Sequence, residues 1–258
     1  MNVFVFDIET VPDVDSGRRL YKLDGLSDAE VAEVMFHKRR QDTGGSEFLR
    51  HYLQRVVAIS GVLRTGDQLK VWSLGNADSP ERELIERFFA GVEKYSPTLV
   101  SWNGRGFDLP VLHYRALLHE VAAPRYWDTG EGDASFRWNN YISRFHQRHT
   151  DLMDVIAGYE NRCTAPLDEI SALLGFPGKM GMNGGQVWDS YQAGDQAGIR
   201  NYCETDVLNT YLVFLRFELI RGHLMPDGYA RECQLVRDLL AQDDAPPHFR
   251  EFLDAWKA

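Results

Sequence analysis

The sequence is poor in cysteine and has no long apolar run. Three of its 258 residues are cysteines, and no two of them form a Cys-x-x-Cys pair. This argues against a disulfide framework and against a zinc ribbon, and it favours the reducing cytoplasm. No stretch of about eighteen apolar residues occurs, so we expect no membrane span and no membrane partner. The chain also lacks a basic start followed by an apolar segment, so we expect no secretory signal.

Positive charge is also scarce. The 28 Lys and Arg residues stand against 38 Asp and Glu residues, which gives a net charge of −10. An acidic protein gains no long-range attraction to a phosphate backbone, so this balance argues against a passive nucleic-acid coat. An enzyme that acts on a strand end needs only a local cationic lining, part of which bound metal ions can supply. The hydrophobic fraction of 44% is ordinary for a globular protein, and we expect one domain over residues 1–258.

Hydrophobic periodicity predicts an α/β fold with a mixed sheet. Residues 3–9 are apolar on both faces until the acidic residues begin, which is typical of a central strand. A helix is predicted to follow Ser79 as its N-cap, with Pro80 in the first turn. The order of elements predicts that the first strand is central and that helices flank the sheet. The other predicted strands cover 55–63, 68–74 and 98–102, and further helices cover 108–119 and 196–221.

Two insertions and a tail complete the predicted domain. The first insertion, at about 13–54, contains a helix in which Ser27 and Glu30 have the spacing of a capping box. The second, at about 125–148, is rich in aromatic residues, arginine, histidine and glycine and shows little periodicity. The tail from Gln242 to Ala258 is expected to be peripheral.

The first of three acidic motifs ends the predicted central strand, as Phe6-Asp7-Ile8-Glu9-Thr10. Asp7 and Glu9 are two positions apart on a strand, so both side chains leave the same face and Ile8 points into the opposite layer. Two adjacent carboxylates repel each other, and a hard divalent cation between them would remove that repulsion. The alternative is a strand that simply ends in polar residues.

The second motif is Trp102-Asn103-Gly104-Arg105-Gly106-Phe107-Asp108-Leu109-Pro110. Asp108 follows a strand and a glycine-containing loop, and it starts a predicted helix. Aspartate is a favoured N-cap, so capping of this helix is the alternative to a catalytic role. Asn103 has a similar alternative as an ordinary turn residue.

The third motif, Tyr202-Cys203-Glu204-Thr205-Asp206, lies in the last strong predicted helix. Tyr202 and Asp206 are four positions apart, so they share one face and place a phenol beside a carboxylate. The alternative is an amphipathic helix in which the tyrosine packs and the aspartate is solvated. Glu204 is expected to face solvent.

Taken together, the three motifs resemble the exonuclease motifs of the DEDD superfamily, which has an RNase H-like fold. The second and third motifs resemble the proofreading domain of family B DNA polymerases, and more specifically the stand-alone predicted 3′–5′ exonucleases related to that domain. The resemblance covers residues 3 to about 221 and includes Gly178-Lys179-Met180-Gly181 and Gln186-Val187-Trp188-Asp189. A tyrosine four positions before the last acid, Tyr202, is typical of the tyrosine branch of the superfamily.

This resemblance implies a two-metal hydrolysis of phosphodiesters from the 3′ end of a single strand, with DNA preferred over RNA. Two cations, Mg²⁺ or Mn²⁺, are implied as cofactors, and nucleoside 5′-monophosphates as products. Asp7, Glu9 and Asp206 would hold the ion that carries the nucleophilic water. Asp7 would bridge to a second ion supported by Asp108, and Tyr202 would orient the water. The alternatives are an exonuclease of RNA or short oligonucleotides, and a catalytically silent nucleic-acid-binding module.

Several further residues are candidates for substrate contacts or for support of the site. Asn103 and Phe107 belong to the second motif and are expected near the scissile end. Lys179 lies in a glycine-rich loop, where it either steadies a phosphate or is solvated. Asp151, which follows His149 and Thr150, is expected to start a strand or a helix, with a structural role preferred over metal support.

The second insertion offers aromatic and cationic side chains for unpaired bases. Trp138 could stack on a base, and Arg144 could strengthen that contact. The alternative is a lid that packs on the body of the domain. The aromatic candidates of this segment are Trp127, Phe136, Trp138 and Tyr141.

Overall fold

The computed structural model describes residues 2–257 and contains a five-stranded mixed sheet. Its strands are β1 (Asn2–Pro12), β2 (Gln54–Thr65), β3 (Gln68–Ser73), β4 (Thr98–Ser101) and β5 (His149–Asp151). They lie in the order β3-β2-β1-β4-β5. The first strand is therefore central, as predicted. It runs antiparallel to β2 and parallel to β4, whereas β2 and β3 are antiparallel and β4 and β5 are parallel.

Helices cover both faces of this sheet, so the α/β, RNase H-like fold class is confirmed. Short 3-10 helices connect several of the longer elements, at His51–Leu53, Ala134–Phe136, Asn161–Cys163 and Gly184–Gln186. The α-helices are α1 (Val14–Tyr21), α2 (Asp28–Thr43), α3 (Glu81–Tyr95), α4 (Asp108–His119), α5 (Pro124–Trp127), α6 (Leu152–Ile156), α7 (Leu167–Leu173), α8 (Val187–Gln192), α9 (Gln196–Ile220), α10 (Pro226–Leu240) and α11 (Pro247–Ala255). Within residues 2–257, none of them is long and apolar enough to cross a membrane.

The two faces of β1 belong to different cores. Phe4, Phe6 and Ile8 pack in the core that includes residues of α3 and α4. Val3 and Val5 pack in the core that includes residues of α9 and α10. Because side chains alternate along a strand, residues 7 and 9 continue the face that looks toward α9. The predicted orientation of Ile8, away from the two acids, is confirmed.

A β-bulge interrupts the pairing of β1 and β2 directly after the first motif. Glu9 lies opposite Ala58, but the next residue, Thr10, lies opposite Val56. One extra residue on β2 therefore has no partner, which bends the ladder and re-aims the neighbouring side chains. The bulge thus separates the acidic part of β1 from the part that leads into the first insertion.

The helix starts show one correct and one wrong capping prediction. Ser27 and Glu30 form the predicted capping box at the start of α2. Helix α3 begins at Glu81 with Pro80 as its N-cap and without a capping side chain, so the prediction of Ser79 as N-cap is wrong. The Ser79 hydroxyl instead accepts the Asn76 N–H at 2.9 Å and closes the preceding turn.

The second insertion packs onto the body of the domain. Phe136 is 1% exposed and Tyr141 is 0% exposed, and both belong to the core beside α3 and α4. The Tyr141 hydroxyl donates a hydrogen bond to the Pro97 carbonyl at 2.6 Å. These two rings cannot stack on a substrate base, so that part of the prediction is wrong.

The C-terminal tail is not peripheral, contrary to expectation. Phe249, Phe252 and Trp256 are buried in the core that includes α9. Apolar rings at these spacings give α11 one face that is removed from water when it packs beside α10. The expectation was wrong because a short terminal helix can complete a core when its aromatic side chains share one face.

A buried ion cluster connects the first insertion to the body. The Arg115 guanidinium of α4 pairs with Asp13, which precedes α1, and with Glu81 at the start of α3. Glu81 also accepts the Val56 N–H at 2.7 Å. These contacts satisfy a buried guanidinium with two carboxylates, which is the arrangement that a buried charge requires.

Candidate active site

The acids of the first motif meet the middle of α9. The Cys203 thiol lies 3.5 Å from the Asp7 carbonyl oxygen and 3.6 Å from the Asp7 carboxylate. Ligand atoms of Asp7, Glu9 and Cys203 all lie within 4.8 Å of one another. Cys203 was not singled out from the sequence, although its position between Tyr202 and Asp206 on a helix beside β1 was an available signal.

Tyr202 and Asp206 share one face of α9, as their spacing predicts. The Tyr202 phenol and the Asp206 carboxylate lie close enough for each to shift the pKa of the other. Tyr202 is 6% exposed, and burial, followed by the charge of Asp206, raises the pKa of its phenol far above the ordinary value. The phenol therefore stays protonated at neutral pH and acts as a donor.

Asp108 occupies the first position of α4 and is not its N-cap. The N-cap is Phe107, which makes no capping hydrogen bond with its side chain, so the capping interpretation is wrong. The Asp108 carboxylate accepts the backbone N–H of Ile8 at 3.1 Å. The carboxylate thus reaches the strand residue between Asp7 and Glu9.

The four acids act on one another electrostatically. Burial is the largest cause that raises the pKa of Asp7, followed by the charges of Asp108, Glu9 and Asp206. Burial followed by the charges of Asp206 and Asp108 raises the pKa of Glu9. Burial also raises the pKa of Asp108 to about 7 and that of Asp206 to about 6. The structure therefore brings these four carboxyl groups within electrostatic reach of one another.

This donor set fits divalent cations. Converging carboxylates are costly to keep ionised without a positive partner, and a cation among them favours their charged forms. Carboxylate oxygens are the ligands that hard cations such as Mg²⁺ prefer. The nearby sulfur of Cys203 would add a soft donor, which suits Mg²⁺ less well than it suits transition metals.

A cavity of about 280 Å³ opens beside Asp206. The Lys179 ammonium is part of its lining and lies 3.7 Å from the Asp168 carboxylate. The Asn209 amide accepts the Gly178 N–H at 3.1 Å and donates to the Gly178 carbonyl at 2.8 Å. These bonds attach the Lys179 loop to α9, and Asn103 lines the same cavity.

Asn209 was missed from the sequence. A buried asparagine in a helix interior, three positions after the last acid, was the available signal. Its side chain is 1% exposed, and a buried amide of this kind is expected to have partners outside its own helix.

A second cavity, of about 620 Å³, lies on the other side of Glu9. Phe107 is part of its lining, and the Phe107 ring lies 5.3 Å from that of Phe48. The first insertion supplies Phe36 and Phe48 to the wall, and Trp188 completes it from α8. The site therefore has a cavity with aromatic and acidic lining at Glu9 and a cavity with a lysine at Asp206.

Two predicted substrate contacts are not brought to the acids. Trp138 is 82% exposed, and Arg144 forms an ion pair with Asp154 at 2.6 Å. Neither belongs to the described residues that line the two cavities. The positive charge of Arg144 is thus already balanced by a carboxylate of α6.

Glu204 does not face solvent, so that expectation is wrong. Its carboxylate accepts the Ser73 hydroxyl at 2.6 Å and contacts the His248 imidazole at 2.8 Å. Strand β3 and helix α11 cover this face of α9. The sequence of the helix alone could not reveal a covering element that lies so far along the chain.

A comparison with protein families places a family model on most of the chain. A family model described as a predicted 3′–5′ exonuclease related to the exonuclease domain of PolB matches residues 46–256. The matched residues include the second and third motifs, whereas Asp7 and Glu9 precede them. No curated protein matches the chain.

Proposed function

The chain belongs to this family of predicted 3′–5′ exonucleases related to the exonuclease domain of PolB, and from that membership we propose a specific activity. The protein hydrolyses phosphodiesters from the 3′ end of single-stranded nucleic acid, with DNA preferred over RNA. It uses two divalent cations, Mg²⁺ or Mn²⁺, and releases nucleoside 5′-monophosphates. The observation that supports this most is the approach of Asp7, Glu9, Asp108 and Asp206, from three separate segments, to one another.

Each acid has a proposed task. Asp7, Glu9 and Asp206 would hold one cation, and Asp7 together with Asp108 would hold the other. Bound there, the cations would supply an acidified water as nucleophile and neutralise the charge that develops on the leaving oxygen. The Ile8 N–H fixes one oxygen of Asp108 at 3.1 Å, which orients its carboxylate before any ion arrives.

Tyr202 orients the attacking water in this proposal. Its phenol is protonated at neutral pH because burial raises its pKa, so it cannot serve as the base. The phenol lies beside Asp206, close enough to shift the pKa of that carboxyl group. A water placed between the phenol and the scissile phosphate would therefore be aligned by a fixed group.

The two cavities suggest how the strand lies. Lys179 offers an ammonium for a backbone phosphate in the cavity beside Asp206, where Asn103 also lies. Phe107 lines the cavity beside Glu9, where its ring and those of Phe48 and Trp188 are suited to stack on the terminal base. Trp138 and Arg144 would contact the strand farther from its end, and Arg144 would first have to leave Asp154.

A digestion assay tests the proposal. Single-stranded DNA labelled at its 5′ end, and RNA of matched sequence, are incubated with Mg²⁺ or Mn²⁺, with and without chelator. We expect a ladder that shortens from the 3′ end, disappears with chelator and advances faster on DNA. Asp206→Asn should remove the ladder, and Asp238→Asn, at an exposed position of α10, should leave it unchanged.

The other outcomes separate the alternatives. Faster digestion of RNA would favour the RNA or short-oligonucleotide enzyme. Tight binding of either strand without a ladder would indicate a silent binding module. A ladder that persists with chelator, or in Asp206→Asn, would contradict the two-metal assignment.

A further inference from the structure

Strand β5 ends in a buried carboxylate that faces the loop of the second motif. Asp151 is 6% exposed. One of its oxygens accepts the Asn103 N–H at 2.9 Å, and the other accepts the Arg105 N–H at 2.9 Å. Both carboxylate oxygens are thus used by backbone donors of a loop that lies more than forty residues earlier in the chain.

This loop has a conformation that needs support. Asn103 has a φ of 65°, in the left-handed region that few residues other than glycine adopt. Its carbonyl accepts the N–H groups of both Gly106 and Phe107 at 2.9 Å. A Cβ at Gly104 would lie only 2.2 Å from the Ser101 hydroxyl, so the loop is pressed against the end of β4.

Without Asp151, two backbone donors of this loop would lose their acceptors. A buried N–H group left unpaired costs free energy comparable to that of a lost hydrogen bond. The neighbouring contacts do not replace these bonds, because they hold different groups. His149, two residues before Asp151, contacts the Ser101 hydroxyl at 2.8 Å, and the Arg105 side chain donates to the Ile142 carbonyl at 3.2 Å.

The loop leads directly into Asp108. From these contacts we infer that Asp151 is a positioning residue, which holds the loop over residues 102–107 so that the Asp108 carboxylate keeps its place beside Ile8 and Asp7. The inference rests on the proposed function, in which Asp108 supports a cation. It gives Asp151 the role of a group that does not bind the metal but holds a metal ligand in place. Loss of such a group typically weakens metal binding or activity about 10–100-fold.

The test measures Mn²⁺ binding and turnover in Asp151→Asn. The amide keeps one acceptor oxygen but turns an NH₂ donor toward a loop N–H, so the loop should shift while the side-chain volume stays the same. We expect Mn²⁺ to bind about 10–100-fold more weakly. The electron paramagnetic resonance signal of free Mn²⁺ measures this binding. Turnover at saturating Mn²⁺ should recover in large part.

The matched control is Asp128→Asn. The Asp128 carboxylate also organises a loop, since it accepts N–H groups of residues 130 to 133, but this loop lies in the second insertion. The Mn²⁺ affinity of Asp128→Asn should equal that of the wild type. A wild-type Mn²⁺ affinity in Asp151→Asn would overturn the inference, provided that Asp108→Asn weakens binding. If Asp108→Asn also binds Mn²⁺ normally, the proposed metal site itself is refuted.

A measurement on the wild-type protein covers the case in which Asp151→Asn does not fold. The amide hydrogens of Asn103 and Arg105 donate to a buried carboxylate, so their exchange with solvent should be slow, as it is for core amides. Exchange of both amides at the rate of an unstructured loop would overturn the inference.

Discussion

The carboxylate of Asp108 accepts the backbone N–H of Ile8 at 3.1 Å, although 100 positions separate the two residues. Ile8 lies between Asp7 and Glu9, so this bond ties the second acidic motif to the first. The same carboxylate would support a cation in the proposed mechanism. One hydrogen bond thus connects the start of α4 with the central strand at the point where the chemistry is proposed.

This relationship leads to a prediction for Asp108→Asn. The asparagine oxygen can still accept the Ile8 N–H, so the protein should fold and keep its circular dichroism spectrum. The amide carries no negative charge to attract a cation. Turnover should therefore fall by more than the roughly 100-fold that is lost when a group that only supports the metal ligands is replaced. Initial rates of digestion at saturating Mg²⁺ measure this loss, and a rate within threefold or so of the wild type would exclude Asp108 from the metal site.

Tyr202→Phe should have a smaller effect. The ring remains and fills the same buried volume, so the melting temperature should change little. Loss of one hydrogen bond to Asp206 or to the water should reduce turnover about tenfold, which corresponds to roughly 1.4 kcal/mol. Turnover is measured across the neutral pH range, and an unchanged rate throughout that range would leave Tyr202 with a packing role only.

The contribution of Asp108 to the stability of the metal-free protein should fall as pH rises. The pKa of Asp108 is about 7 in the folded protein and 3.8 ordinarily. Between these values the folded state keeps a proton that the unfolded chain has released, so stability is highest near the lower value and declines toward the upper one. Asp108→Asn should make this decline smaller. The loss of stability between low and high pH should shrink by at least about 1 kcal/mol, or about 2–4 °C in melting temperature.

Melting temperatures at about pH 5 and about pH 8 in chelator, for wild type and Asp108→Asn, measure this difference. The pKa values of His113 and His149 are lowered by burial to about 4 and about 3. These two histidines stabilise the folded state more at higher pH. Their contribution is the same in wild type and variant, so it cancels when the two proteins are compared. Identical pH dependence in wild type and variant would contradict the raised pKa of Asp108.

Arg115→Met should destabilise the protein strongly. It leaves the buried carboxylates of Asp13 and Glu81 without their guanidinium. Removal of one member of a buried ion cluster typically costs about 3–5 kcal/mol. Urea denaturation measures this loss, and Arg82→Met, which removes an exposed pair with Glu86 on the same helix α3 as Glu81, should leave the midpoint nearly unchanged. Equal midpoints for both variants would disprove the structural role of Arg115.

Lys179→Met tests the cavity beside Asp206. If the ammonium binds a backbone phosphate, the KM for the oligonucleotide should rise, and the slope of log affinity against log salt should decrease by about one. Lys22→Met, at the exposed end of α1, is the control and should change neither quantity. An unchanged salt slope in Lys179→Met would leave this lysine as the partner of Asp168 alone.

Local periodicity was sufficient to predict four of the five strands and four of the eleven α-helices in the described residues. Apolar residues on both faces of residues 3–9 predicted a central strand, and the structure places β1 third among five strands. The four-residue spacing of Tyr202 and Asp206 predicted that a phenol would lie beside a carboxylate, and the two groups lie close enough to shift each other's pKa. Such predictions succeed because the side-chain directions of strands and helices follow from the backbone alone.

Capping and exposure could not be predicted in the same way. Asp108 has the sequence position of an N-cap, yet its carboxylate bonds to β1. Glu204 has the helix position of a solvated residue, yet β3 and α11 cover it. In each case the deciding partner comes from a remote segment, and residue preferences at a single position contain no information about that partner.

The sequence by itself thus determined the secondary structure around the acids. It also determined on which face of its strand or helix each acidic side chain lies. The tertiary structure alone decided which of these faces meet, that Asp151 holds the loop before Asp108, and that Phe136 and Tyr141 are buried. The physical reason is that hydrogen bonds and core contacts between distant segments depend on how whole elements pack, because packing removes apolar surface from water without regard to separation along the chain.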